Sequence, residues 1–189
     1  MSHVPSATSI FSTLLQDRSR PESPALSLEE EVTAFFDELH DPLIRYLMSF
    51  RLGVHDAEDV IQDVFLVLFK HLQANKPRAN LRGWVFRVAH NLGLKRQRKI
   101  RDSRLQNYEE TLFPPASGLN PEEELLHVQR TKRLMAIVHA LPDRNRHCLF
   151  LRAEGLRYRE IAHVLGISLG SVANALEQSL KRLSDAESR

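Results

Sequence analysis

A single cysteine, Cys148, is all that the 189 residues contain, so no disulfide can form within the chain and a reducing compartment is expected. Nine histidines are present, but none stands in an HExxH run or at a zinc-site spacing with cysteine, so no metal and no cofactor are expected. No apolar run approaches the roughly 20 residues that a membrane span needs. The N-terminus lacks a charged start followed by an apolar stretch and a cleavage site. Neither secretion nor a membrane is therefore expected, and the chain reads as cytoplasmic. Strand-like alternation of apolar and polar residues is missing at any useful length, which leaves an all-α fold class. There is no Gly-rich phosphate loop and no nucleophile paired with a base, so the chain does not read as an enzyme.

What is present is a hydrophobic content of 42%, enough for packed cores in one domain or two small ones, and an uneven charge. The net charge of +2 hides two opposed blocks. Residues 28–80 carry five Lys/Arg (Arg45, Arg51, Lys70, Lys76, Arg78) against ten Asp/Glu, whereas residues 81–104 carry eight against the lone acid Asp102. An acidic block beside a basic one implies partners of opposite character.

Residues 1–27, with three prolines and little periodicity, read as a disordered N-terminal tail. Ser27 and Glu30 have capping-box spacing and open a helix through about Leu39; Asp41-Pro42 is expected to start a second one, running to Gly53. DAEDVIQDVF (56–65) opens a third, with Ala57, Val60, Ile61, Val64, Phe65 and Leu68 as its core stripe. Residues 73–80 form a loop around Pro77, and a fourth helix buries Leu81, Trp84, Val85, Val88 and Leu92. Residues 28–101 thus make one domain. Residues 102–121, with Pro114, Pro115, Gly118 and Pro121, are a flexible linker; its 20 residues reach roughly 65 Å when extended. Asn120-Pro121-Glu122 restarts helix, with Leu125, Val128, Leu134, Ile137, Val138 and Leu141 as its stripe, and Pro142-Asp143 begins another that ends at Gly155. A helix-turn-helix follows, turning at Gly166 and capped by Ser168, with Val172, Leu176, Leu180 and Leu183 as the inner stripe of its second helix. The second domain spans 122–184, and 185–189 are a C-terminal tail.

Three sets of residues could carry function. On the last helix, Ser171, Asn174, Gln178, Lys181 and Arg182 face away from the apolar stripe; Asn and Gln can pair with adenine in the major groove, while Lys and Arg grip phosphate. The alternative is a plain helical hairpin with a polar solvent face. Lys95, Arg96, Arg98, Lys99 and Arg101 form a cationic helix end suited to phosphate, or a solvated terminus. Trp84 reads either as a packed core residue or as an aromatic that wedges against unpaired bases, and Asn91 lies where the apolar and cationic faces meet. Asp59, Gln62 and Asp63 share one helix face, which reads as a docking surface for a basic partner or as a solvated face. Paired carboxylates can also serve metal or acid–base chemistry, but here no histidine or nucleophile accompanies them. Cys148 reads as a small core residue.

In order and spacing these blocks resemble the extracytoplasmic-function (ECF) group of the sigma-70 family of bacterial RNA polymerase sigma factors, over roughly 30–100 and 122–184. DAEDVIQDVF is similar to region 2.2, which implies Asp59, Gln62 and Asp63 as contacts to the polymerase β′ clamp helices. LRGWVFRVAHN resembles regions 2.3 and 2.4, which hold the melted −10 strand, with Asn91 at a base-reading position and Trp84 and the basic tail beside it. LPDRNRHCLFLRAEGLRYREIAHVLGISLGSVANAL resembles region 4, whose last helix enters the −35 major groove; Arg159 joins the DNA-binding set there, and the C-terminal domain is expected to meet the β subunit. Core polymerase and promoter DNA are the implied partners, with an anti-sigma protein implied by analogy alone. The sequence departs from the family's usual recognition helix at Ala173 and Ala175, where cations are common, and at Glu177. Two rivals are a helix-turn-helix regulator that works without polymerase and a sigma mimic that titrates an anti-sigma protein. A metal-dependent nuclease using Asp59 and Asp63 is a more remote third.

Overall fold

The structure, a computed structural model, describes residues 27–103 and 133–187, all helix and connecting turns with no strand among them. The helices are α1 (Leu28–Met48), α2 (Val54–Gln73), α3 (Leu81–Ser103), α4 (helical at 133–140), α5 (Asp143–Ala153), α6 (Tyr158–Leu165) and α7 (Leu169–Glu187). Most of the expected N-terminal tail and linker, the restart at Asn120-Pro121-Glu122 and the stripe positions Leu125 and Val128 lie outside the described residues.

The capping box is present: Glu30 N–H donates to Ser27 Oγ at 3.2 Å and Ser27 N–H donates to Glu30 Oε2 at 2.7 Å. α1 does not stop near Leu39, as the sequence suggested, but runs unbroken past Pro42 to Met48. An interior proline forfeits one backbone hydrogen bond and costs about 3 kcal/mol. Burial of Leu39, Leu43, Tyr46 and Leu47 on both sides of it offsets that cost, at roughly 1.5–3 kcal/mol per large apolar side chain.

α2 buries Ala57, Val60, Ile61, Val64, Phe65, Leu68 and Leu72, the expected stripe and one further turn. Asn80, at φ +52°, caps α3 by accepting Gly83 N–H at 3.2 Å. α3 crosses α1 closely at Gly93, where a Cβ would stand 3.0 Å from Leu47 Cδ2 and 3.4 Å from Phe50 Cζ. It continues to Ser103, two residues into the expected linker.

In the second module, Gly155 (φ +86°) and Gly166 (φ +66°) take the left-handed conformations that end α5 and α6. Ser168 Oγ accepts Ser171 N–H at 3.1 Å and starts α7. The inner face of α7 is Val172, Ala175, Leu176 and Ser179, not the expected row of Val172, Leu176, Leu180 and Leu183; Leu180 is 58% exposed and Leu183 half-buried. Steps of four residues drift about 40° each on a helix of 3.6 residues per turn, so the third member of such a row leaves the core. Ser179 takes the place instead, its hydroxyl donating to Ala175 O at 2.7 Å.

The modules are not separate in space. α1 packs on α2 and α3, α5 on α6 and α7, while α3 meets α6 and α1 meets α5. One contiguous cluster of buried apolar side chains runs from Leu39 to Leu176 across both.

Candidate functional site: an acidic docking face and two nucleic-acid faces

Burial of one stripe of α2 turns Asp59, Gln62 and Asp63 outward, and all three are exposed. Leu66, on the same outer side, is 58% exposed, and Val67 and the neighbouring Phe36 on α1 are also exposed. The acidic patch therefore has an apolar border, a mixture that suits docking better than solubility alone.

On α3, Asn91, Lys95, Arg98, Lys99 and Arg101 are exposed. Arg96 is placed differently. Its Nη2 donates to Asp56 Oδ1 at 2.6 Å and to Asp59 Oδ2 at 3.0 Å, and its Nε donates to Asp56 at 2.9 Å. The Asp56 carboxylate, first by hydrogen bonding, raises the guanidinium pKa. Arg96 thus bridges two of the predicted surfaces, the basic tail and the acidic face. Trp84 is half-buried, its ring centroid 4.3 Å from that of His71, so one side packs and the rest meets solvent.

On α7, Asn174, Gln178, Lys181 and Arg182 are exposed and Ser171 half-buried, while Arg159 is exposed on α6. The amides form a chain in which Asn145 Nδ2 donates to Gln178 Oε1 at 3.2 Å and Gln178 Nε2 donates to Asn174 Oδ1 at 3.0 Å. Such a chain fixes which way each amide points before any base is met. Ala173 is exposed but Ala175 is buried, so only the first of the two alanines lies on the reading face.

Cys148 is fully buried, and burial pushes its thiol up to about 11. Among the described residues no group of three His, Cys, Asp or Glu could hold a metal ion, and no helix is long and apolar enough to cross a membrane.

The sequence reading missed Arg146, which is completely buried, and Glu154, whose side chain is paired with Arg45. Glu154's partner Arg45 and Arg146's acceptor Ser49 O lie far away in the chain, so helical periodicity carried no sign of those contacts. The local hints were Asp143, an i,i+3 partner for Arg146, and the core cysteine two positions after Arg146.

Comparison with known proteins follows the same division. Residues 35–103 match "Sigma-70 region 2", and residues 131–183 match "Sigma-70, region 4". The chain is 30% identical over 191 residues to the ECF RNA polymerase sigma factor SigE of Mycolicibacterium smegmatis, an alignment that covers 97% of this chain and 68% of that protein. With the ECF RNA polymerase sigma factor SigW of Bacillus subtilis the identity is 25%, over 73% of this chain and 80% of that one. The chain belongs to the ECF group of the sigma-70 family. Its fold is shared with the sigma factor RpoE of Bartonella quintana, solved in complex with the anti-sigma factor NepR (TM-score 0.60, 22% identity, 82% of this chain and 97% of that one). It is shared also with CnrH, solved in complex with the cytosolic domain of CnrY (TM-score 0.57, 24% identity, 82% of this chain and 85% of that one).

Proposed function

We propose that this sigma factor binds core RNA polymerase through α2 and directs initiation at promoters whose −10 and −35 elements it holds with α3 and α7. The observation that carries this reading is the coexistence of three outward faces in family order: an acidic one with an apolar border, a cationic helix, and an amide-lined recognition helix. A regulator working without polymerase uses only the last of these.

Asp59, Gln62 and Asp63 dock on the β′ clamp helices, and the C-terminal module meets the β subunit. Asn91 reads an unpaired −10 base, with Trp84 beside it and Lys95, Arg96, Arg98, Lys99 and Arg101 on phosphates. Asn174 and Gln178 read the −35 duplex, supported by Ser171, Arg159, Lys181 and Arg182. The polymerase performs the chemistry; this chain supplies specificity and holds the open strand, and so works without catalytic residues or cofactor, in the cytoplasm. The sigma factor RpoE of Bartonella quintana, solved with the anti-sigma factor NepR, supports a partner of that kind here.

Run-off transcription with core polymerase on genomic fragments tests the reading and returns the promoter. Start-site-specific transcripts that need this chain are the expected result. Failure to initiate anywhere, together with failure to co-purify with core enzyme, overturns it.

A further inference from the structure

Asn145 is a buried polar side chain whose contacts lead out to the reading face. It stands in the first turn of α5 and is 5% exposed. Its Nδ2 donates to Gln178 Oε1 at 3.2 Å, across the contact between α5 and α7. Gln178 Nε2 in turn donates to Asn174 Oδ1 at 3.0 Å, one helical turn back. Gln178 and Asn174 are both exposed, so this row of amides starts inside the module and ends at its surface.

The direction of the row decides what the surface displays. A primary amide carries two N–H donors and one oxygen with two lone pairs. Gln178 turns its oxygen inward to Asn145 and commits one N–H to Asn174. Its second N–H and both Asn174 N–H groups have no partner among the described residues, so the face is rich in donors. Bidentate pairing with adenine needs an amide oxygen and an amide N–H together at the base edge. Asn174 keeps a lone pair for that purpose. Gln178, whose oxygen faces inward, cannot present both. In the major groove guanine O6 and thymine O4 accept, whereas adenine N6 and cytosine N4 donate; N7 accepts in both purines and does not separate them.

We infer that Asn145 is a positioning residue for −35 recognition: by holding the Gln178 oxygen it makes Gln178 a donor that selects a keto base, guanine or thymine, over adenine or cytosine. Asn145 touches no DNA itself. The inference rests on the sigma-factor reading above and adds to it the class of base that Gln178 meets and the buried group that sets it.

Core polymerase loaded with the full-length chain tests this, on the promoter that run-off transcription returns, with every −35 position changed in turn to each of the four bases. Gln178→Ala marks the position that Gln178 reads, as the one where discrimination is lost. There the wild type should favour guanine or thymine by roughly fivefold, the worth of one directed hydrogen bond. Preference for adenine or cytosine overturns the inference. Asn145→Asp offers acceptors only, and a carboxylate suits the first turn of α5. It must draw a Gln178 N–H inward and turn the oxygen out, so the preference should invert to adenine or cytosine. Asn145→Leu, close in volume, should leave no preference there. A keto preference that persists in both overturns the role of Asn145, however far overall affinity falls. Should circular dichroism show that neither variant folds, Gln178→Glu on the exposed face decides: it can still accept from Asn145 but has no N–H to donate, and an unchanged keto preference overturns the inference. A Gln178→Ala profile identical to wild type does so too, and leaves the sigma-factor reading intact. Silence of the wild type on every fragment overturns that reading and the inference together.

Discussion

Arg146 illustrates how much one side chain can hold. Its guanidinium is out of water, yet the Asp143 side chain facing it is 65% exposed, so backbone carbonyls share the task of satisfying it. Arg146→Met removes the donor and leaves Ser49 O and Leu141 O unpaired; a loss of about 3 kcal/mol is expected in denaturant unfolding. Its neighbours report on pH. Burial lowers His90 to about 4; burial, with His90 and Arg146 adding to it, lowers His147 to about 3. The groups facing the pair are Tyr46 from α1, Phe50 just beyond it, Arg146 from α5, and Asp143, whose charge acts the other way; Tyr46 Oη is 2.8 Å from His90 Nδ1. Both imidazoles are held neutral in the folded protein, whereas an exposed histidine takes up a proton near 6.5. The fold therefore keeps their full contribution above that pH and loses it progressively as pH falls from about 6.5 toward 4 and 3. His147 Nε2 has no hydrogen-bond partner among the described residues, so His147→Phe keeps the stack on Phe50 while removing one titrating group. Thermal melts between pH 7 and pH 4 should be flatter for this variant than for wild type.

Helices were the legible level. The stripe on α2 could be read residue by residue, because a helix with one buried face writes its period directly into the chain. The cap at Ser27 and the turn at Gly166 were equally plain, since each is a local hydrogen-bonding or dihedral requirement. Pro42 misled because local preference favoured a break, while the buried residues on either side of it favoured continuity. Leu180 misled because a row of fourth residues drifts off the core. The same drift settles the two alanines of α7, and opposite outcomes are expected for one substitution. Ala173→Lys, on the exposed face, should tighten −35 duplex binding and steepen the log–log salt dependence by about 0.9, measured by fluorescence anisotropy at several salt concentrations. Ala175→Lys forces an ammonium into a site that is 4% exposed and should instead destabilise the fold by roughly 2–4 kcal/mol. On α2, Asp63→Arg should end co-purification with core polymerase without altering helical circular dichroism, because Asp63 is exposed and outside the buried stripe.

At the scale of the whole molecule, the sequence pointed to two modules and a strap, but not to their contact, which depends on pairs such as Arg45–Glu154, set more than a hundred residues apart. The continuous core makes a calorimetric prediction. Wild type should unfold in one transition, while Glu154→Arg should separate the melting of the two halves. The bridge made by Arg96 carries a different consequence. Asp59 cannot neutralise Arg96 and a basic polymerase surface at full strength at once, since the guanidinium already lies 3.0 Å from its Oδ2. Whatever claims that carboxylate leaves Arg96 shared with Asp56 alone and freer to turn toward phosphate. Reciprocity then requires the converse: nucleic acid that draws Arg96 away raises the chain's affinity for the enzyme, so each ligand strengthens the hold of the other.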